Sequence, residues 1–146
     1  RRQRQMCIRD SDELAGYELF KKYDCATCHV GEILGGQSYE LIGVQHDYFA
    51  DRAAEMTEED NGRFKQTKIE RDRHRFKVPG LRNVELTYPY FHDGSMKTMD
   101  DAVRAMAKYQ LGIDLPQQEV DKIVSFLRTL TGQYKGQTLT NKNMSI

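Results

Sequence analysis

The stretch Cys25-Ala26-Thr27-Cys28-His29 limits what this chain can be more than any other part of it. Two thiols at positions i and i+3 lie on one face of a helical turn. There both can bond to the vinyl groups of one haem, and the next residue can place its imidazole on the iron. This pattern is typical of covalent c-type haem attachment. The sequence therefore predicts one haem c, held by Cys25 and Cys28, with His29 as an iron ligand.

A Cys-x-x-Cys pair also occurs in structural zinc sites and in redox-active dithiols. A structural zinc ion takes four ligands, usually from two such pairs, and this sequence has no second pair. A thioredoxin-like dithiol is expected near a βαβ pattern, which the sequence does not show. A non-haem metal or thiol-redox module stays as an alternative, and it would lack Soret absorbance.

The first eleven residues, RRQRQMCIRDS, look like a translated transposase sequencing adapter. We interpret residues 1–11 as an artefact and set them aside from fold reasoning; a natural basic tail is the alternative. Without them, the 22 basic and 22 acidic residues of the chain become 18 and 21, and Cys7 leaves the cysteine count. Only the two haem-motif cysteines remain, so no disulfide framework is expected. An adapter here also indicates a gene cut at its 5′ side, which makes the lack of a leader uninformative.

Length and composition are those of one globular domain, with 146 residues, 38% hydrophobic and 30% charged. No run of 18 apolar residues occurs, so no membrane span is expected. The charge balance is not basic enough to indicate nucleic acid as a partner. Because covalent haem attachment takes place outside the bacterial cytoplasm, we expect a periplasmic protein.

Helical spacing predicts three main helices and a long irregular region. The first covers residues 12–23, with Ser11 or Asp12 as its cap and Leu14, Tyr17 and Phe20 on one face. Residues 30–96 show no lasting period; short helical turns are expected near 48–56 and 79–84. So long a loop is tolerable here because a haem supplies the core that the loop surrounds.

The other two helices carry clear end signals. A capping box, Thr98-x-x-Asp101, opens one that Gly112 ends. The next begins near Pro116 and is closed by Gly132. The predicted fold is all-α: a c-type cytochrome domain over residues 12–134 with long haem-wrapping loops, followed by a frayed tail at 135–146.

The second iron ligand is open from the residue pattern alone. Electron-transfer haems usually carry histidine on one side of the iron and methionine on the other, and thioether sulfur suits reduced iron. The candidate methionines after the haem motif are Met56, Met96, Met99 and Met106. Three histidines offer bis-histidine ligation instead: His46, His74 and His92.

A longer motif carries a family resemblance. Residues 76–94 read FKVPxLRNVxLTxPYFHDG, which resembles the signature of bacterial dihaem cytochrome c peroxidases. Gly16-x-x-Leu19-Phe20 before the haem motif is similar as well. The match continues through Ala102-Val103-x-x-Met106, through QLG at 110–112 and through residues 123–132. It extends from residue 12 to about residue 132.

The resemblance implies a role for this chain and a set of ligands. That family has two c-type haem domains, and this chain resembles the C-terminal, high-potential domain where electrons enter. By resemblance, His29 and Met106 ligate the iron, and backbone carbonyls of Thr87 and Pro89 contribute to an interdomain calcium ion, a hard cation suited to carbonyl oxygen. The resemblance also implies a homodimer, and a small cytochrome c or a cupredoxin as electron donor.

The chain departs from this family in having one Cys-x-x-Cys-His only. The N-terminal domain, whose haem reduces hydrogen peroxide to water in the family, is missing. An iron bound by both His29 and Met106 has no open position for peroxide, so this fragment is expected to carry electrons and to contain no catalytic residue. The alternatives are a stand-alone monohaem cytochrome c and a relative that oxidises a partner protein. The second has tyrosine in place of the distal methionine, and Met106 argues against it.

Overall fold

The computed structural model describes residues 10–52 and 54–140. Most of the predicted adapter therefore lies outside the described residues. Short 3-10 turns cover Glu59–Asn61, Glu70–Asp72 and Val84–Leu86, and a π-helical turn covers Ala107–Leu111. In chain order the helices and strands are α1 (Ser11–Lys22), α2 (Cys25–Cys28), β1 (Tyr39–Leu41), α3 (Tyr48–Asp51), α4 (Phe64–Thr67), β2 (Arg75–Lys77), α5 (Met99–Met106), α6 (Gln117–Arg128), β3 (Gln133–Tyr134) and β4 (Gln137–Thr138).

The packing of α1 against α6 forms the centre of the domain. Phe20 on α1 and Phe126 on α6 are buried, with ring centroids 5.4 Å apart. The helices approach closely at Gly16, where an added Cβ would lie 1.9 Å from the carbonyl oxygen of Lys122. The buried apolar residues around this contact form one cluster: Phe20, Leu81, Met99, Ala107, Leu115, Val120, Ile123, Val124, Phe126, Leu127 and Leu130.

The start of α1 differs from the prediction. The helix begins at Ser11, and the carboxylate of Asp10 caps it by accepting a 2.8 Å hydrogen bond from the backbone N–H of Glu13. The predicted caps, Ser11 and Asp12, are therefore wrong, and the last two residues of the predicted adapter take part in this helix. Leu14 is 49% exposed, because the face that meets α6 is the one that carries Gly16 and Phe20.

The capping box of α5 is confirmed. The hydroxyl of Thr98 accepts from the backbone N–H of Asp101 at 3.1 Å, and the backbone N–H of Thr98 donates to the Asp101 carboxylate at 3.1 Å. The segment ends at Gly112, which has a φ of +70°. The helix does not stay regular to that point, since its last five residues form the π-helical turn. Helix α6 stops at Arg128, so the prediction that Gly132 closes it is wrong.

The long loop is more ordered than its sequence suggests. Strands β1 and β2 pair antiparallel, with Leu41 opposite Arg75. Helix α3 falls within the turn predicted near 48–56, and the turn predicted near 79–84 lies at the end of that range, with its 3-10 part at Val84–Leu86. The all-α prediction is confirmed for the frame of the domain, to which the part of the chain that the structure describes adds two small two-stranded sheets.

Strands β3 and β4 form a short hairpin after α6, in which Gln133 lies opposite Thr138. The predicted frayed tail from residue 135 is thus ordered at its start, while residues 141–146 lie outside the described part. Among the described residues, none of the helices has the length and apolar character that crossing a membrane requires.

Candidate haem-binding site

The two cysteines of the motif lie on one short helical turn directly after α1. Asp24 turns the chain with a left-handed φ of +54°, and α2 follows at once. Cys25 is half-buried against the apolar cluster, and Cys28 is exposed. Their spacing of one helical turn places both thiols on the same side of α2, as attachment to one haem requires.

The imidazole of His29 is fixed by the backbone that follows it. Its Nδ1 lies 3.2 Å from the carbonyl oxygen of Leu34. A carbonyl oxygen only accepts hydrogen bonds, so Nδ1 carries the proton and Nε2 of the neutral ring keeps its lone pair. The backbone N–H of His29 donates to the carbonyl oxygen of Cys25 at 3.1 Å. The rings of Phe20 and His29 pack together with their centroids 6.1 Å apart. His29 therefore presents Nε2 as a possible metal ligand.

The loop behind His29 is bound to the segment at residues 78–81. The backbone N–H of Gly36 donates to the carbonyl oxygen of Val78 at 2.7 Å, and the backbone N–H of Leu81 donates to the carbonyl oxygen of Ile33 at 2.9 Å. Between them, Gly35 has a φ of +139°, and an added Cβ would lie 2.1 Å from the Pro79 carbonyl oxygen. A residue with a side chain would not fit there. This contact keeps the Leu34 carbonyl in place against His29.

Burial sets the protonation of the three motif side chains. It lowers the pKa of His29, although hydrogen bonds to the Leu34 and Pro79 carbonyls oppose that shift. Burial also raises the pKa of Cys25 to about 11 and raises the pKa of Cys28. At neutral pH the histidine is uncharged, as a metal ligand must be, and both cysteines are thiols.

The four candidate methionines lie in different surroundings. Met99 is 8% exposed and belongs to the apolar cluster, while Met56 is 53% exposed. Met96 is half-buried next to the isolated bridge that its carbonyl forms with Tyr90. Met106 is half-buried at the junction of α5 with the π-helical turn. Met99 thus fills the core, and Met106 is the methionine of α5 whose side chain remains accessible.

Two of the candidate histidines, His74 and His92, form hydrogen bonds with Asp60. His92 Nε2 lies 2.7 Å from Asp60 Oδ1, and His74 Nδ1 lies 2.7 Å from the Asp60 carbonyl oxygen. The third, His46, is exposed. His92 uses its Nε2 on this contact, whereas His74, like His29, uses its Nδ1. The contact therefore argues against ligation by His92 only, and bis-histidine ligation through His74 stays an alternative to methionine.

Asp60 is the centre of a buried charge cluster that the sequence did not reveal. It is fully buried, and both nitrogens of the Arg52 fork donate to it, at 2.8 and 2.5 Å. Arg52 also donates to Asp93 at 3.0 Å, and Asp93 accepts from the Tyr48 hydroxyl at 2.8 Å. Arginine and aspartate occur throughout the chain without a motif, so only the fold shows that these residues meet.

The charges of this cluster shift its ionisation. The Arg52 guanidinium holds the pKa of Asp60 far below its ordinary value, despite burial. Burial acts to raise the pKa of Asp93, but hydrogen bonds from Ser95, Tyr48 and Arg52 outweigh it and hold that pKa at about 2. Burial raises the pKa of Tyr48 to about 12. At neutral pH Asp60, Asp93 and Arg52 are therefore charged and Tyr48 is a neutral phenol, and the cluster ties α3 to the loop between Asp60 and Ser95.

The two residues of the predicted calcium site lie in one exposed loop. Thr87 and Pro89 follow the 3-10 turn at Val84–Leu86, and the Thr87 hydroxyl donates to the Val84 carbonyl at 2.9 Å. Within residues 10–52 and 54–140, no group of three or more His, Cys, Asp or Glu side chains could hold a metal ion. Calcium binding here would depend on backbone carbonyls, and it stays a prediction.

A helical core with a Cys-x-x-Cys-His turn beside it defines a c-type cytochrome domain. The family model described as cytochrome c matches residues 14–131, and the chain belongs to the cytochrome c family. Family membership implies covalently bound haem c. The site fits that cofactor, because two thiols one turn apart adjoin an imidazole whose tautomer leaves Nε2 for a metal.

Bacterial peroxidases are among the similar proteins, and they match through their C-terminal portion. Cytochrome c peroxidase Ccp of Escherichia coli is 55% identical over 119 residues, which is 82% of this chain and 25% of that protein. The cytochrome c551 peroxidases of Nitrosomonas europaea and Pseudomonas aeruginosa are 49% and 39% identical, over 84% and 85% of this chain and 35% of each protein. The chain thus spans between a quarter and about a third of the length of these relatives.

A solved structure shares the fold. The crystal structure of a MauG-like protein associated with microbial copper homeostasis matches with a TM-score of 0.71 and 25% identity. The match covers 85% of this chain and 45% of that one. Here too the chain corresponds to a part of a longer protein.

Proposed function

We propose that this chain is the high-potential electron-transfer domain of a dihaem cytochrome c peroxidase. The observation that carries the proposal is the hydrogen bond from His29 Nδ1 to Leu34, because it prepares Nε2 as an iron ligand beside two thiols one helical turn apart. The 55% identity with an E. coli cytochrome c peroxidase supports the choice of family. Haem bound at this site supplies a reversible one-electron iron couple.

Met106 is the proposed second ligand. The accessible side chain of Met106 supports this, since the competing methionine on the same helix, Met99, is used for core packing. A thioether favours reduced iron and raises the reduction potential. If Met106 and His29 both held the iron, they would exclude peroxide from it. The residues of this chain therefore support electron transfer and not cleavage of the O–O bond.

The remaining parts of the proposal concern the intact protein. An electron from a small cytochrome c or a cupredoxin enters at this domain and passes to a peroxidatic haem in an N-terminal domain. There hydrogen peroxide takes up two electrons and two protons and gives two molecules of water. We place the protein in the periplasm as a homodimer, with a calcium ion between its domains bound in part by carbonyls of Thr87 and Pro89.

Optical spectra of two matched variants test the ligand assignment. The full chain is produced in a host that attaches c-type haem, and Met106→Leu is compared with Met99→Leu. The exchange keeps volume nearly constant and costs less than about 1.5 kcal/mol in a core, but it removes the sulfur. We expect Met106→Leu to lose the weak near-red band of ferric iron bound by methionine sulfur and to lower the potential, whereas Met99→Leu keeps both.

Two outcomes contradict the proposal. If Met106→Leu keeps the band and Met99→Leu loses it, the wrong methionine has been assigned. If the wild-type chain shows no covalent haem, the electron-transfer function itself is wrong.

A stand-alone monohaem cytochrome c is the second candidate, since the described haem site needs only the one Cys-x-x-Cys-His for electron transfer. Sequencing the genomic locus upstream of this segment separates the two. A second Cys-x-x-Cys-His in the same reading frame supports the dihaem peroxidase, and a complete reading frame without one supports the carrier.

A further inference from the structure

The side chain of Gln110 binds the π-helical turn after Met106 to a segment of the long loop. Its Nε2 donates to the Leu41 carbonyl oxygen at 3.1 Å, and its Oε1 accepts from the backbone N–H of Val44 at 3.4 Å. Both ends of the amide are thus used on one segment, residues 41–46, which we call the strap.

Backbone contacts join the strap to the π-helical turn as well. Gln45 donates its backbone N–H to the Tyr109 carbonyl at 2.9 Å. At the end of the turn, a Cβ added to Gly112 would lie 3.3 Å from Cβ of Gln45, so the side chain of Gln45 lies close to the Gly112 backbone. A π-helical turn lacks the regular α-helical hydrogen bonds and is often found at functional sites. Here its conformation is supported from outside, by the strap.

The N-terminal end of the strap, Leu41, connects it through the β1–β2 pair to the loop that holds His29. Leu41 is the last residue of β1 and lies opposite Arg75 on β2. Just after β2, Val78 accepts the 2.7 Å hydrogen bond from Gly36 that fixes the loop behind His29. A continuous series of backbone contacts therefore runs from the His29 loop through the two strands and the strap to the turn that follows Met106.

We propose that Gln110 is a positioning residue that keeps the Met106 thioether on the haem iron by locking the strap to the π-helical turn. The inference rests on the proposed function, because it takes His29 and Met106 as the ligands. Leu41 accepts and Val44 donates, so the site needs one donor and one acceptor on the same short side chain. Glutamine provides both, leucine provides neither, and glutamate provides only the acceptor.

The rate of cyanide binding to the ferric full chain tests this role, since cyanide has to wait until Met106 leaves the iron. In Gln110→Leu we expect cyanide to bind roughly ten- to thirtyfold faster, as loss of two ordinary hydrogen bonds implies, together with a weaker near-red band. Gln110→Glu should fall between Gln110→Leu and the wild type. Gln118→Leu is the matched control, because Gln118 is exposed on α6 and should leave the rate unchanged.

A second control separates positioning from general stability. Thr98→Ala removes the cap at the far end of α5 and destabilises the helix without touching the strap. If it accelerates cyanide binding as much as Gln110→Leu does, or if Gln110→Leu binds cyanide at the wild-type rate, the positioning role is refuted. A wild-type chain that lacks the near-red band and binds cyanide without delay refutes the proposed function, and this inference with it.

Discussion

Replacing Gly16 by alanine tests the packing that places the haem motif. On its own, the exchange favours α1, because alanine is better than glycine inside a helix by about 1 kcal/mol. The fold opposes it. The new Cβ would lie 1.9 Å from the Lys122 carbonyl oxygen and 3.0 Å from Cβ of Phe126, whereas ordinary contact begins at 3.4 Å. The atom in the way belongs to the backbone of α6, so α1 and α6 have to separate.

The magnitude follows from these two terms. Overpacking of this kind costs about 1–3 kcal/mol or more, and a clash with helical backbone belongs at the upper end. After the gain in helix propensity, we expect a net loss of about 2 kcal/mol, or roughly 5–15 °C in Tm. Thermal unfolding of the haem-loaded full chain, followed by far-ultraviolet circular dichroism, measures it.

The neighbouring residue supplies the control. Ala15→Gly changes propensity in the opposite direction on the same helix and should cost about 1 kcal/mol. If Gly16→Ala raises Tm while Ala15→Gly lowers it, propensity alone governs α1, and the close approach to Lys122 has no energetic consequence.

The remaining predictions concern the buried Asp60 cluster and the N-cap of α5. Asp60→Ala should cost about 3 kcal/mol at pH 7, the lower end for breaking a buried ion pair, because Arg52 loses its hydrogen bonds to Asp60 and keeps Asp93 as a charged partner; Asp60→Asn, which keeps the shape, should cost less, and urea unfolding measures both. Since Asp60 has a lowered pKa in the folded chain, its contribution is full above the unfolded pKa of about 3.9 and is lost as the pH falls toward the folded pKa. Unfolding between pH 5 and pH 2 should therefore show a shallower loss of stability in Asp60→Asn than in the wild type, and equal slopes would contradict the assignment. Thr98→Ala should cost about 1 kcal/mol through loss of the N-cap, with Thr98→Ser as the variant that keeps most of it; equal urea midpoints for wild type and Thr98→Ala would show that the capping box is not stabilising.

Features that depend on neighbouring residues could be predicted from the sequence. The capping box at Thr98 and the end at Gly112 are set within one helical turn, and both are where their local rules put them. The haem motif is of the same kind, since two thiols and an imidazole within five residues are enough to define the chemistry of attachment. The start of α1 was missed by one residue because Asp10, Ser11 and Asp12 are all good caps.

The tertiary structure decided whatever depends on contact between distant segments. Helical spacing put Leu14 on the apolar face of α1, but the face that α6 covers contains Gly16. Met99 and Met106 are seven residues apart and equivalent by period, and only packing makes one of them a core residue. The buried pair of Arg52 and Asp60 has no sequence signal at all.

The sequence by itself thus determined the cofactor class, the positions of the main helices and the N-cap of α5 at Thr98. It did so because bonding within a turn depends on residues that are adjacent in the chain. The fold decided how His29 is held, which methionine stays accessible and how Gln110 reaches the strap. His29 is held by Leu34, five residues further along the chain. Gln110 bonds to Leu41, which is 69 residues away. Met99 is buried because the whole apolar cluster surrounds it.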